Sequence, residues 1–111
     1  MNPTRPEPKI YHRAKTVRFC SDAIVALIKS QYRSMLDEPT TRCRNNVNAY
    51  QMPYTDITCN AGDENWSNDD DRIAFYRKVG EVAKPFGCAV CLTPLSDGEM
   101  EITIWPAVDM Y

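Results

Sequence analysis

Two cysteines spaced as Cys88-x-x-Cys91 are the arrangement in this chain with the clearest capacity for chemistry. Thiolates at this spacing bind zinc or act as a redox pair, and a redox pair normally lies at the start of a helix, where the dipole lowers the thiol pKa. This pair instead lies in a strand pattern, so we predict that the two side chains point to opposite faces. A zinc site would need two further ligands, and the chain offers only His12 and the scattered Cys20, Cys43 and Cys59. We therefore expect buried core thiols without a metal or cofactor, and we keep a thiol or zinc protein as an alternative.

Acidic residues offer catalysis or metal binding, but their positions favour simpler roles. The aspartates at 69–71 stand where a helix is predicted to begin, and the helix dipole stabilises negative charge there. A calcium loop counted from Asp63 fails, because Asn68 takes the place of the glycine and Ala74 that of the bidentate glutamate. The chain contains no glycine-rich phosphate loop, nucleophile elbow or His-Glu-x-x-His motif. We therefore predict no catalytic residues and no enzymatic activity, with a small enzyme as the minor alternative.

Large aromatic side chains outside the predicted core stripes are the strongest candidates for a binding site. Trp66 falls in a polar loop, and Tyr50 and Tyr54 flank a proline turn. Trp105 alternates onto the polar face of its strand. Because Trp and Tyr most often dominate protein interfaces, this set predicts a site for a protein partner.

The basic N-terminal half of the chain supplies a different binding chemistry. Residues 1–44 carry nine Lys/Arg against four acids, whereas residues 45–111 carry four against eleven. Arg42 and Arg44 fall in a predicted loop where they could contact phosphates, so a nucleic-acid-binding accessory protein is the second hypothesis. The carboxylates of the second half weigh against it. The charge asymmetry also favours steered association with a charged partner or with a second copy, as in a homodimer.

Length and composition bound the class of protein. A chain of 111 residues with 43% apolar and 25% charged residues is typical of one globular domain. No apolar run approaches the roughly 20 residues that cross a bilayer, so we expect no membrane association. The N-terminus lacks the apolar stretch of a signal peptide, and the odd number of cysteines fits a reducing compartment. We therefore expect the protein to be cytoplasmic.

The second half of the chain must position most of these residues, and its pattern predicts a helix and a hairpin. Residues 69–84 place Val82, Phe75, Val79, Ala83, Tyr76, Gly80 and Ile73 on one half of a helix, capped by Ser67 or Asn68 and ended by Pro85. Residues 87–93 are apolar on both faces, which predicts a strand inside the sheet. Residues 99–105 alternate, with Met100, Ile102 and Ile104 facing the core, and Gly98 suits the turn between the strands.

The first half of the chain has less regular sequence patterns. Prolines at positions 3, 6 and 8 predict an extended arm over residues 1–9, followed by one domain over 10–111. Residues 10–19 are expected to hold a strand with Val17 and Phe19 inward, and Ser21 to cap a helix over residues 22–36. Short strands are expected at 47–51 and 54–59, packed through Val47, Ala49, Tyr54 and Ile57. The result is an α+β fold of order β-α-β-β-α-β-β, with two amphipathic helices on one face of a mainly antiparallel sheet, as a ferredoxin-like variant or a helix-backed meander.

In kind, and without a shared motif, the chain resembles the small proteins that viruses and mobile elements encode to bind and block a host protein. The sequence therefore predicts a non-enzymatic protein-binding module, and the resemblance implies a phage- or mobile-element-encoded inhibitor of a host protein.

Overall fold

The computed structural model describes residues 6–36, 42–61, 66–95 and 98–107, and side chains from residue 13 onward except that of Arg42. Two helices pack against a four-stranded antiparallel sheet of order β1-β2-β4-β3. The elements in chain order are α1 Pro6–Gln31, β1 Arg42–Val47, β2 Pro53–Asn60, α2 Asp69–Ala83, β3 Cys88–Pro94 and β4 Glu99–Pro106, with short 3-10 turns at Arg33–Met35 and Lys84–Phe86.

Helix α2 begins and ends where the sequence predicts. The Asn68 side chain accepts a hydrogen bond from the backbone N–H of Asp71, which caps the first turn. At the other end Pro85 lies in the 3-10 turn, and Gly87 reverses the chain with a φ of 67°. The buried face is narrower than expected: Phe75, Val79 and Ala83 are buried, but Ile73 and Tyr76, predicted to be core residues, are 46% and 38% exposed.

Strands β3 and β4 form the predicted hairpin, with Gly98 at a φ of 77°, but the predicted place of β3 in the sheet is wrong. β3 was expected inside the sheet and lies at its edge, whereas the alternating β4 pairs with both β2 and β3. The physical reason is that no helix among the described elements covers the second face of the sheet, so a central strand needs only one apolar face. Met100, Ile102 and Ile104 are buried as predicted.

The predicted N-terminal strand is wrong, because α1 extends through it. Residues 6–9, predicted to belong to the extended arm, are the first residues of this helix, and residues 1–5 lie outside the described residues. Prolines are tolerated there because the first four N–H groups of a helix have no partner within it. Ser21 is therefore not a cap but a buried residue in mid-helix, and Phe19, expected inward, is 54% exposed.

The hairpin of β1 and β2 is shifted from its predicted position. Residues 42–46, expected to form a loop, are most of β1, and the chain turns at residues 48–52 instead of continuing as a strand. Val47 is consequently 56% exposed and Ala49 is exposed, whereas both were expected to pack. Ile57 is buried as predicted.

The core lies between the helices and one face of the sheet. α1 contributes a stripe at helical spacing, and its members meet the inward residues of β2 and β4. Two hairpins joined through β2 and β4 thus replace the ferredoxin-like order and the meander, and the element order is α-β-β-α-β-β. The buried apolar residues are Val17, Cys20, Ile24, Ile28, Met35, Ile57, Cys59, Phe75, Val79, Ala83, Cys88, Met100, Ile102 and Ile104.

Candidate binding site

One face of the sheet carries no helix among the described elements. Because side chains alternate along a strand, the residues of β2 and β4 that alternate with the inward-facing ones lie on this open face, although Thr58 among them is only 7% exposed. The strand register places Asp56 beside Thr103 and Thr58 beside Glu101 across the two central strands. Arg44 of β1 lies opposite Asp56, so it shares the same face. We call this surface, formed by Arg44, Asn46, Tyr54, Asp56, Thr58, Glu99, Glu101, Thr103 and Trp105, the open face.

A cleft lies at the end of the open face where β2 begins and β4 ends. Tyr54 and Trp105 stand on the two central strands at matching positions, one residue beyond the paired Thr55 and Ile104. Neither ring makes an aromatic contact with another ring of the described chain. The cleft has a volume of about 500 Å³, which is in the range of ligand-binding pockets. It is lined by Asn48, Met52, Pro53, Tyr54, Thr103, Trp105 and Pro106.

The polar groups of the cleft are mostly unused hydrogen-bond donors. Neither the indole N–H of Trp105 nor the hydroxyl of Tyr54 has a hydrogen-bond partner among the described residues. The Asn48 amide oxygen accepts from the backbone N–H groups of Tyr50 and Met52 at 2.9 and 3.0 Å, which leaves its NH₂ group without a partner in the same part of the chain. Indole and amide N–H groups donate only, so this apolar cleft offers donors to whatever occupies it.

A carboxylate stands next to the cleft on the open face. The Thr103 hydroxyl donates to one oxygen of Asp56 at 2.9 Å, and the Asn46 amide donates to the other at 3.3 Å. These two bonds fix the carboxylate without neutralising it, and Arg44, although opposite Asp56, forms no ion pair with it. Glu101 and Glu99 continue the negative charge along β4. The cleft therefore borders an acidic strip.

Trp66, the other predicted tryptophan of the site, lies at the opposite end of the sheet. Its indole N–H donates to the Ala61 carbonyl at 3.1 Å, and its ring centroid lies 5.5 Å from that of Phe75 and 6.4 Å from that of Tyr32. The ring is half-buried against the core and its donor is satisfied. The structure thus separates Trp66 from the other aromatic candidates.

The remaining predicted site residues surround the cleft and the β1 edge. Tyr50 is 87% exposed in the turn between β1 and β2, next to the Asn48 and Met52 walls of the cleft. Arg44 is exposed on the edge strand β1. Arg42 pairs with Thr58 in the register, but its side chain lies outside the described residues. Three of the six candidates, Tyr50, Tyr54 and Trp105, therefore gather at one end of the sheet.

The cysteine pair is split between the two faces of β3, as predicted. Cys88 is buried, and Cys91, expected to be a core thiol, is exposed. The Cys88 thiol donates to the Phe86 carbonyl at 3.7 Å and lies beside Cys20 of α1. Interaction with the Cys88 thiol, together with burial, raises the pKa of Cys20, while interaction with Cys20 lowers the pKa of Cys88 against the effect of burial. Burial alone raises the pKa of Cys59 to about 11. Within the described ranges no three His, Cys, Asp or Glu residues converge as a metal site.

Sequence reasoning missed four residues that build the cleft and its border, namely Asn48, Met52, Thr103 and Asp56. Alternation within β4 places Thr103 on the face of Trp105, so that signal was present. Asn48 and Met52 required the true position of the β1–β2 turn, which the predicted strand over 47–51 obscured. Asp56 required the pairing of β2 with β4, which connects residues more than 40 positions apart.

No protein-family model, curated protein or solved structure matches this chain. In the part of the chain that the structure describes, no helix is long and apolar enough to cross a membrane. Function must therefore be argued from the open face itself.

Proposed function

We propose that this protein is a non-enzymatic protein-binding module whose partner occupies the cleft between Tyr54 and Trp105. One observation carries the proposal: the Trp105 indole N–H is unpaired among the described residues in an apolar cleft, whereas the indole N–H of Trp66 is bonded within the chain. A half-buried donor without a partner costs free energy that a bound carbonyl recovers. Trp and Tyr at the centre of a patch are also the residues that most often dominate a protein interface.

The exposed surroundings support an interface larger than the cleft alone. Tyr50 projects from the adjoining turn, and Arg44 and the acidic strip offer charged groups at the rim. An apolar centre with a polar rim is the usual composition of a specific interface. That the partner is a host protein, and that binding inhibits it, are parts of the proposal that follow only from the resemblance in kind.

The test is affinity capture from a lysate of the producing cells with three baits: wild type, Trp105→Ala and Trp66→Phe. We expect a partner that wild type and Trp66→Phe retain and that Trp105→Ala loses, because only Trp105 lies on the open face. Trp66→Phe is the matched control, since it changes the other tryptophan and keeps an aromatic ring at the core. Equal capture by wild type and a folded Trp105→Ala protein would contradict the proposal.

A single-stranded nucleic acid is the second candidate for the open face, and one observation favours it. Arg44 shares that face with Tyr54 and Trp105, and arginine beside aromatic rings can bind phosphates and stack bases. The acidic strip of Asp56, Glu99 and Glu101 opposes it electrostatically. Fluorescence anisotropy with a mixed-sequence single-stranded DNA at low salt tests this reading: binding that Arg44→Glu abolishes would support it, and absence of binding by wild type would eliminate it.

A further inference from the structure

We infer that the partner presents a proline-rich extended segment, flanked by a basic residue, to the cleft between Tyr54 and Trp105. This inference rests on the proposed function and names the chemistry of its partner. A polyproline II segment has apolar rings, backbone carbonyls that accept hydrogen bonds and few N–H groups that donate them.

The unused hydrogen-bonding groups of the cleft favour a polyproline II ligand. Its unused polar groups are the Trp105 indole N–H, the Asn48 NH₂ and the Tyr54 hydroxyl, of which the first two only donate. An ordinary peptide would bring N–H groups that find few acceptors there. The Asn48 oxygen already accepts two backbone N–H groups, which leaves the hydroxyl oxygens of Thr103 and Tyr54 as side-chain acceptors in the cleft. A chain of carbonyls without N–H groups therefore leaves the fewest buried polar groups unpaired.

The shape of the cleft agrees with this choice. Tyr54 and Trp105 stand on neighbouring strands without stacking on one another, and Met52 and two prolines complete apolar walls. Aromatic walls of this kind accept proline rings, whose extended conformation is already set before binding and costs little entropy to fix. The Arg13 guanidinium lies 3.7 Å from the Met52 sulfur, which ties the turn to α1 and holds the wall in place.

The carboxylates beside the cleft indicate where the basic residue of the ligand binds. Asp56 lies two residues from Tyr54 on the same strand face, or about 7 Å away, which is about two residues of polyproline II. Glu101 lies about 13 Å from Trp105 along β4, or about four such residues. Asp56 is held by Asn46 and Thr103 and forms no ion pair with Arg44, so its charge is available to an incoming arginine or lysine.

Titration of tryptophan fluorescence with synthetic peptides tests the inference. The reporter is the Trp66→Phe protein, in which Trp105 is the only indole, with its fold checked by circular dichroism. The probes are an acetylated polyproline peptide ending in arginine, the same peptide ending in glutamate, and a Gly-Ser peptide ending in arginine. We expect saturable binding of the first, several-fold weaker binding of the second and none of the third.

Variants of the full chain then locate the site. Trp105→Ala should weaken binding of the arginine-ended peptide at least about tenfold, and Trp105→Phe, which keeps a ring but lacks the donor, about two- to tenfold. Peptide binding by these two Trp105 variants is measured by calorimetry in the chain that retains Trp66. Asp56→Asn should remove the preference for arginine over glutamate while retaining binding of polyproline.

Three outcomes would overturn the inference, and the first of them would leave the proposed function standing. Absence of polyproline binding together with Trp105-dependent capture of a partner is the first. Another is single-stranded DNA, in place of the peptide, quenching Trp105. A third is peptide binding that begins only after deletion of residues 2–5 or 108–111 in a chain that still melts cooperatively, since the cleft would then belong to a segment of the protein itself.

Discussion

The two tryptophans stand at opposite ends of the sheet and use the same side chain in opposite ways. At the Trp66 end the indole donates within the chain, and its ring joins Phe75 and Tyr32 in a cluster that closes the core. At the Trp105 end the indole faces a cleft, with no partner for its N–H in the described chain. The difference teaches that residue type alone does not tell whether a tryptophan closes the core or faces a cleft. The hydrogen-bond partner of the indole N–H distinguishes the two.

The largest effect that tests this contrast is on stability at the Trp66 end. Phe75 is fully buried, and its ring centroid lies 4.8 Å from that of Tyr32, edge to face. We expect Phe75→Ala to lower the free energy of unfolding by about 3–5 kcal/mol, measured by urea denaturation. Tyr76→Ala, at the adjacent position but 38% exposed, is the control and should cost less than about 1 kcal/mol. Similar losses for the two variants would show that the cluster is not part of the core.

The two tryptophans can then be compared directly. Trp66→Ala should lower the free energy of unfolding by about 2–3 kcal/mol, because it removes a half-buried ring and a hydrogen bond. Trp105→Ala should cost about 1 kcal/mol or less, because that ring lies on the open face. Urea denaturation of both proteins measures the difference. The contrast fails if Trp105→Ala destabilises the protein as much as Trp66→Ala does.

Alkaline pH probes the Trp66 end by another route. Cys59 pairs in register with Met100, and Met100 and Trp66 line the same small cavity. Burial raises the pKa of the Cys59 thiol from 9.0 to about 11. Below pH 9 the thiol is neutral in both states, so stability is unaffected. Between pH 9 and 11 the unfolded chain ionises first, and the free energy of unfolding should fall by up to about 1.4 kcal/mol per pH unit, levelling above 11. Thermal melts should show a shallower decline for Cys59→Ala. Parallel curves for the two proteins would refute this assignment.

The smallest effects come from two asparagines that play matching roles at the two ends. Asn68 caps α2, and Asn48 holds the β1–β2 turn, each through its side-chain oxygen. Replacing either by alanine should lower the free energy of unfolding by about 1 kcal/mol. Only Asn48→Ala should also weaken binding at the cleft, since Asn48 is one of its walls. Calorimetry with the peptide or the captured partner distinguishes them, and weaker binding by Asn68→Ala would contradict the division.

Local sequence signals predict α2 and the β3–β4 hairpin because the residues that determine each element lie within or next to it in the sequence. The Asn68 cap, the Pro85 stop and the alternation of β4 act over a few residues, and the structure retains all three. The same reasoning fails at the N-terminus, where the prolines predict an extended arm although they are compatible with the first turn of a helix. The spacing of Val17, Cys20 and Ile24 along α1 was the correct signal there.

What the sequence could not supply was which strands become neighbours. The alternation of apolar and polar residues along β4 predicts one face toward the core and one toward water, but it does not distinguish a central strand from an edge strand. Prediction of the binding site is limited in the same way. Tyr54 and Trp105 were each proposed as binding residues, yet their common cleft depends on the pairing of β2 with β4, which no local pattern contains.

The central place of β4 has a consequence for how the protein is made. During synthesis β1 and β2 are complete long before residues 99–106 exist, and β3 has no neighbour in the sheet until those residues arrive. β4 pairs with the preceding β3 as a local hairpin, whereas its pairing with β2 is of long sequence separation, and contacts of that kind form slowly. One wall of the cleft comes from β2 and the other from β4. A nascent or prematurely terminated chain that lacks residues 99–106 thus lacks one wall of the cleft.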